Sequence, residues 1–400
     1  ALDRSGQSIS AFLQPGNYFE AGISVLDPSV SGKVRNGYSP SAAPPSAIGL
    51  QNTNLSDMGD DYYFPSAALK LQVTDHFSFG LLYDQPFGAD ATYSLSDTVS
   101  AAAGGVGLFH NGTETTEVEV KSQSISMIFG YQPTENFNFY AGPVYQTIEG
   151  DVQLRGLAYG GNATFGGYNA SIKETGDIGW LAGAAFQIPD IALKASVTYR
   201  SEIEHSVNVK ESFNSAGLLA GLNAAPSLNT DITTPQSVNL DFQTGIMANT
   251  VAFANVRWVD WSSFSIQPYK FGLASKSAAI QAQTGKSEFD LVAYTDDQIS
   301  ATVGVGRKLN DQWAGNVSVG WDSGAGNPVT TLGPTEGYWN VGLGAQFSPT
   351  PQTFIAGGVK YFWLGDAKAQ SAAQFDTANY VAEFKDNHAI AYGLKMGYKF

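Results

Sequence analysis

Apolar side chains at every second position, in runs that begin and end on aromatic residues, constrain this chain more than any other feature of its sequence. In the last run Ile390, Tyr392, Leu394, Met396, Tyr398 and Phe400 share one face, while Ala391, Gly393, Lys395, Gly397 and Lys399 share the other. Trp339, Val341, Leu343, Ala345 and Phe347 alternate with Asn340, Gly342, Gly344 and Gln346. Trp313, Gly315, Val317, Val319 and Trp321 alternate with Ala314, Asn316, Ser318 and Gly320. A period of two is that of a β-strand, whose successive side chains point to opposite faces. A soluble sandwich has the same period, with its apolar face toward a shared core. Aromatics at both ends of the apolar face, and Gly, Ser and Asn on the other face, fit a membrane barrel instead: interfacial girdles outside and a polar lumen inside.

The connections supply a topology. Tight turn signals at Thr74-Asp75, Gln132-Pro133-Thr134-Glu135, Ile188-Pro189-Asp190, Ala248-Asn249, Asn310-Asp311 and Ser348-Pro349-Thr350-Pro351 each separate two strand-like runs. Between them lie long connections near 30–60, 86–115, 151–175, 212–235, 265–287, 322–337 and 364–382. Six turns and seven loops require about fourteen strands, an even number with both termini on the periplasmic side. The fold expected is all-β: a transmembrane antiparallel β-barrel of about fourteen strands in the outer membrane. It would span residues 17–400, with a short N-terminal plug of residues 1–16 in its lumen. No run approaches the roughly 18 apolar residues of a membrane-spanning helix. The opening Ala1-Leu2-Asp3-Arg4 lacks the basic and apolar regions of a secretory signal, which is expected of a chain from which one has been removed.

Charge and motif content exclude several function classes. A formal charge of −15 (Lys+Arg 21, Asp+Glu 36) disfavours nucleic acid as a partner. The histidines His76, His110, His205 and His388 are scattered, without metal spacing or a neighbouring nucleophile, so no enzyme, metal site or cofactor is expected. Gly304-Val305-Gly306-Arg307-Lys308 looks superficially like a phosphate loop, but its glycines alternate along a strand and no helix follows.

The run Val197-Thr198-Tyr199-Arg200-Ser201-Glu202, the segment Trp261-Ser262-Ser263-Phe264 and the opening Gly22-Ile23-Ser24-Val25-Leu26-Asp27-Pro28 resemble the FadL family of outer-membrane long-chain fatty-acid and hydrophobic-compound transporters. The final alternating strand ending on Phe400 likewise resembles the C-terminal signature of outer-membrane proteins. The family resemblance implies a fourteen-stranded barrel plugged by an N-terminal hatch. It also implies an apolar outer groove among the loops, an inner pocket, and a lateral exit where the third strand kinks. The matching stretch here contains Asp84, Gln85, Pro86, Phe87, Gly88 and Ala89; Pro86 cannot donate to a ladder and Gly88 weakens one. The alternative is that Pro86 marks only the strand's exit into the second loop. The chain departs from the family in its hatch, which ends near Gly16 and lacks an Asn-Pro-Ala triplet.

Candidate contacts follow. Leu2, Ile9, Phe12 and Leu13 are expected in the inner pocket, with a free terminus as the alternative. Leu157, Tyr159, Phe165 and Tyr168, with Phe213, Leu218, Leu219 and Leu222 on a short helix, are expected to line the outer groove or else to pack the loops together. Arg155 and Lys270, at the loop-side ends of the fifth and ninth strands, are candidates for a ligand carboxylate, or for pairing with acids such as Glu202 or Glu204. The expected function is passive uptake of long-chain fatty acids, or of detergent-like or hydrocarbon ligands, by a monomer surrounded by outer-membrane lipid and lipopolysaccharide. A general porin for small polar solutes and a surface adhesion barrel are the competing readings.

Overall fold

The computed structural model describes residues 2–38 and 49–400, so the first long loop is described only in part. The alternating runs become β1 (Tyr18–Ser29), β2 (Tyr62–Gln72), β3 (Phe77–Asp84), β4 (Glu117–Thr134), β5 (Phe137–Gln153), β6 (Asn169–Ile188) and β7 (Leu193–Arg200). They continue as β8 (Ser237–Met247), β9 (Thr250–Val259), β10 (Gln298–Lys308), β11 (Trp313–Asp322), β12 (Tyr338–Thr350), β13 (Thr353–Leu364) and β14 (His388–Lys399). Each pairs antiparallel with its neighbours in sequence. β14 pairs with β1 from Tyr18↔Lys399 to Ser29↔His388, so the fourteen-stranded sheet closes on itself.

The apolar face of the alternation is the outward one. Val317, Leu343, Val359 and Leu394 are exposed, an arrangement that a water-soluble barrel would not tolerate over its whole girth. Aromatic contacts mark both ends of this band: Trp313 and Phe347 at one end (ring centroids 4.9 Å apart), Trp321 and Trp339 at the other (6.4 Å). The inward face of the same strands carries Asn316, Ser318, Gly342, Gly344 and Gly393. Gly304 and Gly306 lie within β10, as strand geometry requires.

Short turns join the strands at the end where β1 starts and β14 finishes; there Phe400 N donates to the Asn17 carbonyl (3.1 Å). The opposite end carries the long loops, which share a packed apolar core around Phe109, Tyr168, Trp261, Phe271 and Phe384, all fully buried. The helix expected over Phe213–Leu222 does not form: the chain makes turns and then a single 3-10 turn at Ala220–Ala224. Gly217 and Gly221 weaken helix, and Asn side chains take the backbone groups a helix would use. Asn214 Nδ2 donates to Asn162 O (2.9 Å), while Asn223 holds Phe213 at both its N–H (2.8 Å) and its carbonyl (2.9 Å). Helix appears instead at Tyr269–Ser275 and Ala278–Thr284, in the fifth long loop.

Candidate functional site

β3 climbs from the turn end with a partner on each side. It pairs with β4 from Phe77↔Tyr131 to Asp84↔Ser124, and with β2 from Gln72↔Ser78 to Ala67↔Tyr83. Both ladders then stop at Gln85-Pro86-Phe87. Pro86 has no N–H to offer, and beyond it the third strand resumes at Gly88–Thr92, paired only with β4 (Gly88↔Lys121 to Thr92↔Glu117). Four steps from Asp84 to Gly88 face three from Ser124 to Lys121, so the third strand carries one extra residue, a bulge that bends it. Ser122 spans the bulge: its Oγ accepts from Phe87 N (2.9 Å) and donates to Phe87 O (2.8 Å). Phe87 is buried edge-on against Trp261 (5.5 Å, 77°).

On the β2 side pairing does not resume. Residues 62–66 stay bonded to β1 but face no strand on their other flank until the isolated bridge Gly59↔Ala91. Five residues at about 3.3 Å each leave a gap in strand pairing roughly 16 Å long. Unpaired backbone at membrane depth persists only where it meets protein or a cavity, and here it meets both.

The protein that meets it is the N-terminal segment. Leu2–Arg4 runs antiparallel to the bulge: Arg4 N donates to Pro86 O (2.8 Å) and Gly88 N to Leu2 O (2.9 Å), bracketing the bridge Asp3↔Phe87. Arg257, on the inner face of β9, clasps the Asp3 carboxylate with two bonds (2.8 and 3.1 Å), the bidentate geometry that makes such pairs strong. Ser5 Oγ donates to Asp84 (2.6 Å). The Arg4 guanidinium lies 4.9 Å from the centroid of the Tyr62 ring on the far edge of the opening, so this segment touches both edges.

Gly6 and Gln7, both at positive φ (71° and 50°), then reverse the chain into a turn over residues 9–14. Phe12 is completely buried there, seated where a Cβ on Gly80 or Gly130 would lie within 2.6 or 2.8 Å of its ring, and edge-on to Tyr140 (5.5 Å). Lys194 takes the Leu13 carbonyl (3.1 Å), and Lys70 takes those of Gln14 (2.9 Å) and Gly16 (2.8 Å). Ile9, Phe12 and Leu13 therefore belong to one lumenal cluster, while Leu2 reaches the loop core beside the bulge.

A cavity of about 770 Å³ occupies the lumen beside this segment. It is bounded by Leu2–Ser5 and by the inner faces of β1, β13 and β14, and it reaches Tyr62 and Pro65 on one edge of the opening and Tyr83 and Gln85 on the other. Its size lies within the range of small-molecule chambers.

Of the two alternatives for the loop residues, line a groove or pack the loops together, the structure shows the packing. Tyr159, Phe165, Tyr168, Phe213 and Leu219 are buried, Leu157 and Leu222 pack against them, and Leu218 alone of the eight is exposed, at 64%. The cause is aromatic stacking across loops: Phe165 meets Phe213, Phe271 and Phe289 within 6.2 Å. Burial, and then the Glu211 carboxylate it donates to (2.6 Å), hold the Tyr168 phenol well above its ordinary pKa, so it remains a donor. Arg155 and Lys270 do not meet the cavity. Arg155 bonds Glu114, Asn169 and the carbonyls of Leu154 and Tyr168. Lys270 lies in the loop helix Tyr269–Ser275, not at the end of a strand, and its Nζ donates to Asn223 O (3.4 Å). Neither pairs with Glu202 or Glu204. Asp3, Ser122 and Arg257 were missed, although Arg257 stands out in sequence as a cation on a lumenal position between Val256 and Trp258.

A closed fourteen-stranded barrel agrees with the family and the solved structures to which the chain is similar. The family model described as outer membrane protein transport protein (OMPP1/FadL/TodX) matches residues 9–400. The chain belongs to this family. It is a family of outer-membrane channels that transport hydrophobic compounds, not of enzymes. Among solved structures, a Pseudomonas aeruginosa FadL homologue superposes with a TM-score of 0.68 at 16% identity, over 96% of this chain and 91% of that one. The Pseudomonas putida toluene transporter TodX gives 0.61 at 13% identity (99% and 92% covered), and the Ralstonia pickettii toluene transporter TbuX 0.58 at 12% (98% and 91%). No curated protein sequence matches.

Proposed function

We propose that this FadL-family barrel passes hydrophobic molecules, long-chain fatty acids among them, from its loop end into the lumenal cavity and then sideways through the opening between β2 and the third strand into the membrane. Residues 1–16 act as the hatch and residues 17–400 as the barrel, with the start of β1 and the end of β14 on the periplasmic side. The observation that carries this reading is the coincidence of cavity and opening: one continuous space touches the hatch segment and both edges of the break. The physics favours a sideways exit, because each CH₂ group gains about 0.8 kcal/mol on leaving water, so a water-filled route onward is uphill from hydrocarbon. The toluene transporters among the solved structures support a hydrophobic cargo.

The test is uptake in cells that lack their own hydrophobic-compound transporter, using labelled oleate, toluene and a small sugar. Wild type is compared with a variant lacking Pro86, which restores one-to-one register between the third strand and β4. The expected result is that wild type imports oleate or toluene and the folded variant imports neither. Sugar uptake without oleate or toluene uptake would identify a porin, and no uptake of any probe would favour the adhesion reading.

A further inference from the structure

Beyond the barrel, the wall over β13, β14 and β1 continues as a small sheet of loop strands. Gly32–Val34 pairs antiparallel with Ala382–Phe384, which pairs antiparallel with Ala367–Gln370. One face of this sheet joins the loop core through Val34, Ala382, Phe384, Ala367 and Ala369, all buried. The other face carries the cross-strand row Lys33↔Glu383↔Lys368, with Arg35 and Lys385 at the next alternate positions. On β1 the odd-numbered side chains face outward, as exposed Ile23 shows, and Val30 and Val34 remain inward and buried. Lys33 and Arg35 therefore point sideways, away from the barrel axis. Ser29 pairs with His388, which is level with Trp363 and Trp339 of the aromatic band. Lys33, four residues on, is no more than about 13 Å above that band at about 3.3 Å per residue.

These cations are held in place but only partly neutralised. Lys385 pairs with Glu383 (3.1 Å), which also accepts from Tyr380 Oη (2.9 Å). Arg35 and Lys368 both lie against the Tyr380 ring, 4.7 and 5.2 Å from its centroid, so one aromatic ring holds two like charges. Asp366 and Asp386 lie on the barrel side of Lys385, where Asp386 N donates to the Asp366 carboxylate (3.2 Å). Among the described residues Lys33, Arg35 and Lys368 make no ion pair. The wall above β4 and β5 has the opposite sign. There Glu119 faces Asp151 on one side and Asp90 on the other, and Lys121 is paired to Glu119 itself (2.8 Å).

We propose that the lateral face over β13, β14 and β1 binds the phosphate groups of a lipopolysaccharide molecule in the outer leaflet. Three unpaired cations in a chain of net charge −15 complement an anion, and their sideways aim just above the aromatic band meets the phosphate-bearing sugars of that lipid. The acidic wall beyond the third-strand break repels the same phosphates, so the lipid is held on the basic side of the molecule. This inference rests on the loop end facing outward.

Lipopolysaccharide and its enzymatically dephosphorylated form, each titrated onto the purified full chain stripped of bound lipid in a non-ionic detergent, test it, with folding monitored by heat-modifiable migration. Combining Lys33→Gln, Arg35→Gln and Lys368→Gln is expected to weaken lipopolysaccharide about tenfold at low salt and to leave the dephosphorylated form within about twofold. The difference shrinks at about 1 M salt, where the screening length is about 3 Å. Combining Lys173→Gln, Lys210→Gln and Lys276→Gln, exposed lysines of other segments, changes the net charge equally and is expected to alter neither affinity beyond about twofold. Equal weakening in the two triple variants would overturn the inference, as would wild type holding both lipid forms alike. Should the first triple variant fail to fold, unchanged affinity in Lys33→Gln with Lys368→Gln overturns it. Labelling of Asn36→Cys by an impermeant maleimide on intact cells checks the outward loop end separately: absence of labelling would sink that placement whatever the titration gives.

Discussion

The two flanks of the third strand are built from the same residues and end differently. On the β4 flank the ladder skips one residue and resumes, because Ser122 satisfies both backbone groups of Phe87 and the register realigns at Gly88↔Lys121. On the β2 flank the bend carries the strand out of reach, and its place is taken in part by Leu2–Arg4, bonded to Pro86 and Gly88. A bulge is thus a local event where a hydroxyl spans it, and the end of a ladder where nothing does. On the third-strand side the chain's own first residues supply hydrogen bonds, to Pro86 and Gly88, that a membrane cannot.

The harshest way to break that comparison is to put the same extra residue where no hatch can reach. One residue inserted after Val317 interrupts the ladders of β11 to both β10 and β12. Each unpaired group at membrane depth costs several kcal/mol, so the barrel is expected not to assemble, read as loss of the heat-modifiable band. The same insertion after Gln85, within the existing bulge, is expected to be tolerated. Next in size is Arg257→Ala, which strands the Asp3 carboxylate; breaking a buried pair costs about 3–5 kcal/mol. Hydrogen exchange is expected to show residues 2–7 losing protection while β9 keeps its own. Ser122→Ala removes two bonds and leaves Phe87 N–H buried, a loss of about 1–3 kcal/mol, seen as faster exchange at residues 85–88 and not in β3. At the small end, Leu218→Ala on the loop surface is expected to change stability by no more than about 0.5 kcal/mol in a denaturant melt.

The barrel was legible in sequence because it is written many times over: each strand repeats the alternation, and the aromatics at Trp313, Trp339 and Phe347 mark where each crossing begins or ends. Pro86 and Gly88 likewise marked the break, since both residue types act on the backbone locally. What pairs with the break was not legible. Asp3 and Arg257 lie 254 positions apart, and no periodicity links them. The sequence left two alternatives open for the loop residues for a related reason: an apolar run in a loop reads the same whether it lines a groove or a core, and Phe165 is decided by Phe271 and Phe289, more than a hundred positions away. Lys270, expected at a strand end, lies in a loop helix that carries no capping signal, with Pro268 in the N-cap position and no side-chain cap.

A lock across the opening tests the central claim most directly. The chain has no cysteine, so Pro65→Cys with Gln85→Cys introduces a single pair at the first outward positions beyond Ala67↔Tyr83. A disulfide needs Cα atoms within about 7 Å, so it forms only with the edges drawn together. Oleate uptake is expected to stop on oxidation and return on reduction, while the pair Ala67→Cys with Tyr83→Cys, within the intact ladder, transports alike in both states. Uptake that continues undiminished with the Pro65–Gln85 pair fully oxidised would show that cargo leaves by another route.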